Sequence, residues 1–260
     1  NCLISSIHYS PVKSLSFTNL DSCIINKNSG ILNDRIFAFS RNIDFEKAKI
    51  IERYPEQRKL HYFLTLKNSP FLNKYNFVYD GIKLILLYAA SNKALASASL
   101  NDLDKVSFIC KQLIDLEASL NKPIFLLNNK DFPFFDTTHS DSVSNSISLI
   151  NLNSIKDFEN KNNIIIESQR FRGNFYVSGL KAWEERKWIN KVIKINNISF
   201  KVEKHIARCS ATNLKPNSEK ITLNLPSQLK KNYNHIDMGI YLTSLNNGNI
   251  AIGDKVELDD

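Results

Sequence analysis

Short strand-forming runs, set close together and separated by two-residue turns, constrain the fold of this chain more than any other feature. Residues 192–203 alternate apolar and polar side chains on both sides of Asn196-Asn197. A period of two marks a half-buried strand, and Asn tolerates the positive φ of a tight turn, so this stretch predicts a β-hairpin. A second hairpin is predicted about Asn247-Gly248, between residues 240–245 and 249–252, after which Gly253-Asp254 turns into a strand over 255–258. Earlier in the chain, strands are expected over 2–12 (ending near Pro11), at Ile24-Ile25, and over 35–39, 61–66 and 82–88, with Ser29-Gly30 as a turn. Two stretches read as helices: 105–120, with apolar residues at Val106, Ile109, Cys110, Leu113, Leu116 and Leu120, and 154–159 with Ser154 as N-cap. Many short strands and few helices predict a mainly β (α+β) architecture of the barrel type, with no internal repeat.

Composition narrows the function classes. With 260 residues the chain is long enough for one large domain or two small ones, and 43% hydrophobic with 23% charged residues is an ordinary globular balance. No apolar run approaches the roughly 20 residues of a membrane helix, and residues 1–15 lack the continuous apolar stretch of a signal peptide, so no membrane association is expected. The formal net charge of +8 is scattered, Lys-rich and without a basic arm. No nucleic-acid partner is expected from it, although a small anionic ligand in a basic site is compatible. The four cysteines, Cys2, Cys23, Cys110 and Cys209, include no CxxC pair. That spacing argues against a zinc ribbon, an iron–sulfur site or a disulfide framework, and points to a reducing compartment, with the cytoplasm expected. Histidines at metal spacing, a Walker loop, GxGxxG and G-x-S-x-G are all absent from the sequence.

Two phrases carry more chemistry than composition does. One runs from Lys204 through Arg208-Cys209-Ser210-Ala211-Thr212-Asn213, and the other is Arg170-Phe171-Arg172-Gly173-Asn174. Together they place a soft sulfur ligand and a set of anion-binding groups in one half of the chain. Residues 170–188 resemble the "R-F-R-x-N-hydrophobic-x-V-x-G" strand and tryptophan-bearing extension of the MOSC (molybdenum cofactor sulfurase C-terminal) family. Arg208-Cys209 matches that family's R-C phrase, and residues 248–256 its closing G-x-I-x-x-G-D-x-V. Residues 9–14 and Asn33-Asp34-Arg35 resemble the companion N-terminal β-barrel domain, while Asp136 and residues 146–151 resemble the start of the MOSC domain proper. The matches run in the family's order, apart from Gly173, which stands where the family usually has Pro.

The resemblance implies an N-terminal β-barrel-like domain over 1–115 and a β-barrel MOSC domain over 116–260. It also implies a molybdenum-pterin cofactor. The chain would then be similar to MOSC oxidoreductases such as the mitochondrial amidoxime-reducing component, acting on a small, N-hydroxylated substrate with electrons from a separate donor protein. A carrier of sulfur or cofactor for a client molybdoenzyme, or a non-catalytic binding protein, are the alternatives. No pyridoxal-phosphate domain is expected in this chain.

The resemblance makes Cys209 the metal ligand and catalytic residue; on the residues alone, a lone cysteine is more often a buried apolar thiol. It makes Lys13, Arg35, Arg170, Arg172, Asn174 and Thr212 cofactor-binding residues. A strand over 170–178 would turn Arg170, Arg172 and Asn174 to one face, which suits an anion site or a merely solvated face. Lys13 also reads as a turn lysine and Arg35 as half of an Asp–Arg pair. Thr212 and Asn213 read equally as supports of the sulfur or as turn residues.

Overall fold

In the computed structural model, residues 1–120, 122–135 and 147–259 are described; the family-like Asp136 and Ser146, and His139, lie outside them. The N-terminal portion contains β1 (Cys2–Tyr9), β2 (Thr18–Leu20), β3 (Ser22–Asn26), β4 (Gly30–Ile31), β5 (Phe37–Phe39) and α1 (Phe45–Arg53). It continues through β6 (Tyr75–Tyr79), β7 (Lys83–Tyr88), β8 (Ala94–Ser99), α2 (Leu103–Leu116) and β9 (Leu126–Asn128). The C-terminal portion has β10 (Ile147–Asn151), α3 (Leu152–Asn162), β11 (Phe175–Ser178), β12 (Val192–Ile195) and β13 (Ile198–Ala207). It ends with α4 (Leu225–Tyr233), β14 (Asp237–Ser244), β15 (Gly248–Ala251) and β16 (Lys255–Leu258).

Seven strands close into a barrel. Their order is β11-β10-β14-β13-β12-β16-β1, and β1 pairs back onto β11, leaving no free edge in the ring. The first strand of the chain is therefore a stave of the barrel that the C-terminal half builds. One pair, β10 with β11, is parallel, and its crossover runs through α3. Inward-facing Ile4, Leu149, Phe175, Val177, Ile193, Phe200, Val202, Ile240 and Val256 fill the interior. A second core forms where β5, the three-stranded sheet β6-β7-β8 and α2 pack around Phe37, Phe39, Phe77, Leu84 and Leu113. Leu214, from the segment that follows Cys209, is buried in this N-terminal core, so the two halves are packed together where the cysteine phrase lies.

The mainly β expectation holds, as do the 192–203 hairpin, with Asn196 at φ 55, and the helix expected over 105–120. Three local expectations do not. Residues 61–66 form a 3-10 turn at Leu60–Tyr62 and one isolated bridge, touching the end of β5 only through Leu64 N donating to Phe39 O and the Ser40–Phe63 bridge. Asn247-Gly248 does not close a hairpin: β15 pairs with β3, while Leu245 and Asn246 are tied to Ser199. A Cβ on Gly248 would sit 2.8 Å from the Ile198 side chain, so glycine serves close approach there. The N-cap of α3 is Asn151 and not Ser154; the Ser154 hydroxyl instead accepts from Trp183 N and donates to buried Glu185 at 2.7 Å.

Candidate functional site

The Arg170 phrase departs from the expected strand. Ser168–Phe171 form a 3-10 turn, Arg172 is left-handed at φ 50, and β11 starts only at Phe175. Arg170, Arg172 and Asn174 therefore do not share a strand face. The cause is close packing, because a Cβ on Gly173 would lie 2.4 Å from Ile150 Cγ1, so the chain presses onto β10 where a family proline could not. A left-handed arginine costs about 1–3 kcal/mol and persists only because its surroundings fix it.

The three side chains go to different places. Arg170 is buried, donating to Glu167 Oε2 at 2.7 Å, Asn213 O at 3.1 Å and Thr222 Oγ1 at 2.7 Å. It thereby pins the turn that follows Cys209. Arg172 donates to Ser16 O, and its guanidinium lies 5.5 Å over the Phe17 ring. Asn174, 2% exposed, ties β1 and β10 to the turn at Asp34: its Oδ1 accepts from Ser148 N and Oγ, and its Nδ2 donates to His8 O and Asp34 Oδ2.

Around Asn174 the N-terminal phrases assemble. Fully buried Asp34 accepts from Ser10 N at 2.7 Å and pairs with Arg35 Nη1 at 2.5 Å; the same Nη1 is 3.5 Å from Asn174 Oδ1. Burial pushes the Asp34 carboxyl above its ordinary range, opposed by Arg35 and by the Ser10 and Asn174 donors. Lys13 is a buried lysine and not a surface turn residue; it donates to Phe134 O at 3.2 Å and lies 5.8 Å from the Phe63 ring centroid. His8 stacks on Phe17 at 4.5 Å, and burial lowers its pKa.

Cys209 stands at the end of β13, whose register shifts between His205 and Ala207. It has extended backbone and caps the 3-10 turn Ser210–Asn213, with its carbonyl accepting from Thr212 N and from Thr212 Oγ1 at 2.8 Å. Thr212 thus supports the turn. Among the cysteines Cys209 alone is exposed. Burial pushes the thiols of Cys2 and Cys110 up to about 11 and that of Cys23 up to about 12, leaving them as protonated core groups at neutral pH. Arg208 locks the approach to Cys209, with Nη1 donating to Phe171 O and Nε and Nη2 donating to Met238 O. Motif reading named Arg208 only as a neighbour of the cysteine, and it did not find Asp34, Ser148 or Glu185 as polar anchors. The phrases Asn33-Asp34-Arg35 and Ile147-Ser148 contained two of them, but nothing local in a sequence marks a buried hydrogen-bonding hub.

A cavity of about 470 Å³ lies between the two cores, lined by Ser14, Ser16 and Phe17 from one half and by Arg170, Arg172 and Ala211 from the other. Cys209, Lys13 and Arg35 do not line it, although Ala211 and Ser14 are close to them in the chain. His205 and His235 each lie 3.9 Å from Asp237 Oδ2, which Arg186 pairs with at 3.1 Å. Burial lowers the His235 pKa, reinforced by Arg186. Among the described residues, no group of three or more His, Cys, Asp or Glu side chains is placed to hold a metal.

A closed β-barrel ending in an exposed cysteine, with the Arg170 phrase pinned beside it, defines a class of domain. Residues 136–257 match the family model of the MOSC domain, a domain family associated with the molybdenum cofactor. The structure is similar to that of the YuaD protein from Bacillus subtilis, at 11% identity over 99% of this chain and 94% of that one, with a TM-score of 0.47. It is also similar to YiiM from Geobacillus stearothermophilus, at 17% identity and a TM-score of 0.35, and covers 44% of this chain and 54% of that one. For YiiM from Escherichia coli the identity is 13%, the TM-score 0.33, and the shares 47% and 58%. The chain thus spans little more than half the length of the YiiM proteins. No curated protein matches the sequence. No helix among the described residues is long and apolar enough to cross a membrane.

Proposed function

We propose that the protein binds a molybdenum-pterin cofactor through Cys209 and acts as an oxidoreductase on small N-hydroxylated substrates, taking electrons from a separate donor protein. The observation that carries the reading is the exposed thiol of Cys209 on a rigid turn inside a MOSC domain. The donor set fits the group. A thiolate is the soft ligand molybdenum takes, and cationic side chains suit the pterin's phosphate. Lys13 and Arg35 are the cations assigned to that phosphate, with Asp34 and Asn174 holding Arg35 in place. Arg170 and Thr212 keep the Cys209 turn in position. Arg172, which lines the cavity, is assigned to the small-molecule side of the site. When bound, the cofactor supplies the two-electron redox chemistry; the chain supplies the thiol, the anchoring charges and the pocket.

The exposure of Cys209 favours a second reading as well, in which the thiol carries sulfur or cofactor to a client molybdoenzyme. An assay with an N-hydroxylated amidine and a chemical electron donor, run on protein made in a cofactor-producing host, separates the two. Turnover lost in Cys209→Ser supports the oxidoreductase. Bound pterin without turnover, passed on to an added apo-molybdoenzyme, supports the carrier.

A further inference from the structure

Cys209, Lys13 and Arg35 do not line the cavity between the two cores, whereas Arg170 and Arg172 do. Its volume of about 470 Å³ falls in the range of ligand pockets and far exceeds a packing defect. Two kinds of group face it. The lining is mainly polar, with Arg170 and Arg172 bringing cationic charge beside hydroxyls and carboxamides, and Leu66, Leu72 and Leu214 with the rings of Phe17 and Tyr75 supply its smaller apolar part. No Asp or Glu lines it among the described residues. Among the acids two residues from a lining position, Glu167 is held by Arg170 and Glu219 pairs with Lys74.

The cation and the apolar surface are adjacent, because the Arg172 guanidinium lies over the Phe17 ring that also lines the cavity. Thr18 lines it too, and its buried hydroxyl has no partner among the described residues. The left-handed backbone at Arg172 adds strain at this point of the wall, and residues held in such conformations cluster at ligand sites. Asn73 closes one side by donating across the halves to Lys215 O and Ser218 O.

We infer that this cavity binds a small organic carboxylate with a flat apolar body, its charge facing Arg172 and its body lying against Phe17 and Tyr75. A planar guanidinium matches a carboxylate, and a charge-assisted contact favours it over a neutral isostere even in a half-open cavity. In terms of the oxidoreductase or carrier reading, this names the small-molecule side of the site. The binding itself requires neither metal nor pterin, so it stands or falls separately.

The test uses full-length protein made without cofactor, titrated by calorimetry with benzoate, benzamide, benzylamine and inorganic phosphate. Benzoate is expected to bind saturably, benzamide about ten-fold more weakly or worse, and benzylamine not at all. Arg172→Gln should weaken benzoate about ten-fold or more while leaving benzamide unchanged. Because Arg172 also holds a turn, a second variant, Ala89→Phe, fills the cavity from the N-terminal side and should abolish benzoate binding with circular dichroism unchanged. The inference is overturned if folded protein does not bind benzoate, if benzamide binds equally well, or if phosphate competes as strongly as benzoate. It is overturned equally if Arg35→Gln removes binding while Ala89→Phe retains it, which would place the anion among the proposed cofactor residues.

Discussion

Asn174→Ala should cost far more than its single amide suggests. The side chain is 2% exposed and serves five partners: Ser148 N at 3.0 Å, Ser148 Oγ at 3.1 Å, His8 O at 3.0 Å, Asp34 Oδ2 at 3.2 Å and, more weakly, Arg35 Nη1 at 3.5 Å. The Ser148 hydroxyl can turn to another acceptor, and a carbonyl tolerates losing one bond. The Ser148 amide cannot adjust, and buried Asp34 loses a donor that stabilises its charge. A buried group left without its partner costs about 1–3 kcal/mol, more when charged, so the two serious losses sum to roughly 3–5 kcal/mol. Against a typical total of about 5–15 kcal/mol that is a large fraction. At about 2–4 °C per kcal/mol for a chain of this size, the melting temperature should fall by roughly 6–20 °C. Thermal and urea unfolding followed by circular dichroism measure it. Asn174→Asp, which sets a second carboxylate beside Asp34, should be less stable still at pH 7 and recover partly at lower pH. A fall of under about 3 °C for the alanine variant would mean that the hub is not structural and would refute the reasoning.

Other expectations follow from the same geometry. Gly173→Ala should lower stability by about 1–3 kcal/mol, because its Cβ would lie 2.4 Å from Ile150 Cγ1 and β10 must shift; urea titration reads it directly. Burial raises the Glu185 carboxyl above its ordinary 4.5, so between that pH and the folded value the native state binds more protons than the unfolded state. Stability from Glu185 should therefore decline as pH rises through that window, and Glu185→Gln should flatten the decline when the two pH–stability curves are subtracted. The isolated segment from residue 116 onward lacks β1, which pairs with β2, β11 and β16, so its barrel is missing a stave. That fragment should lack the dispersed amide spectrum of the full chain.

How much could be read beforehand depends on the range of the interactions involved. The 192–203 hairpin and the 105–120 helix were legible because alternation, turn residues and helical period are local. The pairing of β1 with β16, nearly the whole chain away, leaves no local trace. Asn247-Gly248 looked like a turn because glycine marks both turns and close approaches, and only the nearness of Ile198 tells them apart. In the candidate site, the phrases around Arg170 and Cys209 stood out through their resemblance to a family. Their geometry did not, since the strand pattern over 170–178 is broken by a left-handed residue whose strain is held by tertiary packing. Lys13, Arg35 and Asn174 were singled out as cofactor donors, but the hydrogen bonds through Asp34 and Ser148 that hold Arg35 and Asn174 connect residues far apart in the chain.

The central claim is that Cys209 holds molybdenum, and metal analysis tests it most directly. Full-length protein and Cys209→Ser are purified from a host that makes the cofactor, and molybdenum per folded chain is determined by elemental mass spectrometry. The wild-type chain should carry molybdenum in stoichiometric amount, and the serine variant, with unchanged melting behaviour because the exposed thiol supports no core, should carry almost none. Folded wild-type protein without molybdenum, or a serine variant that retains its full complement, would contradict the account.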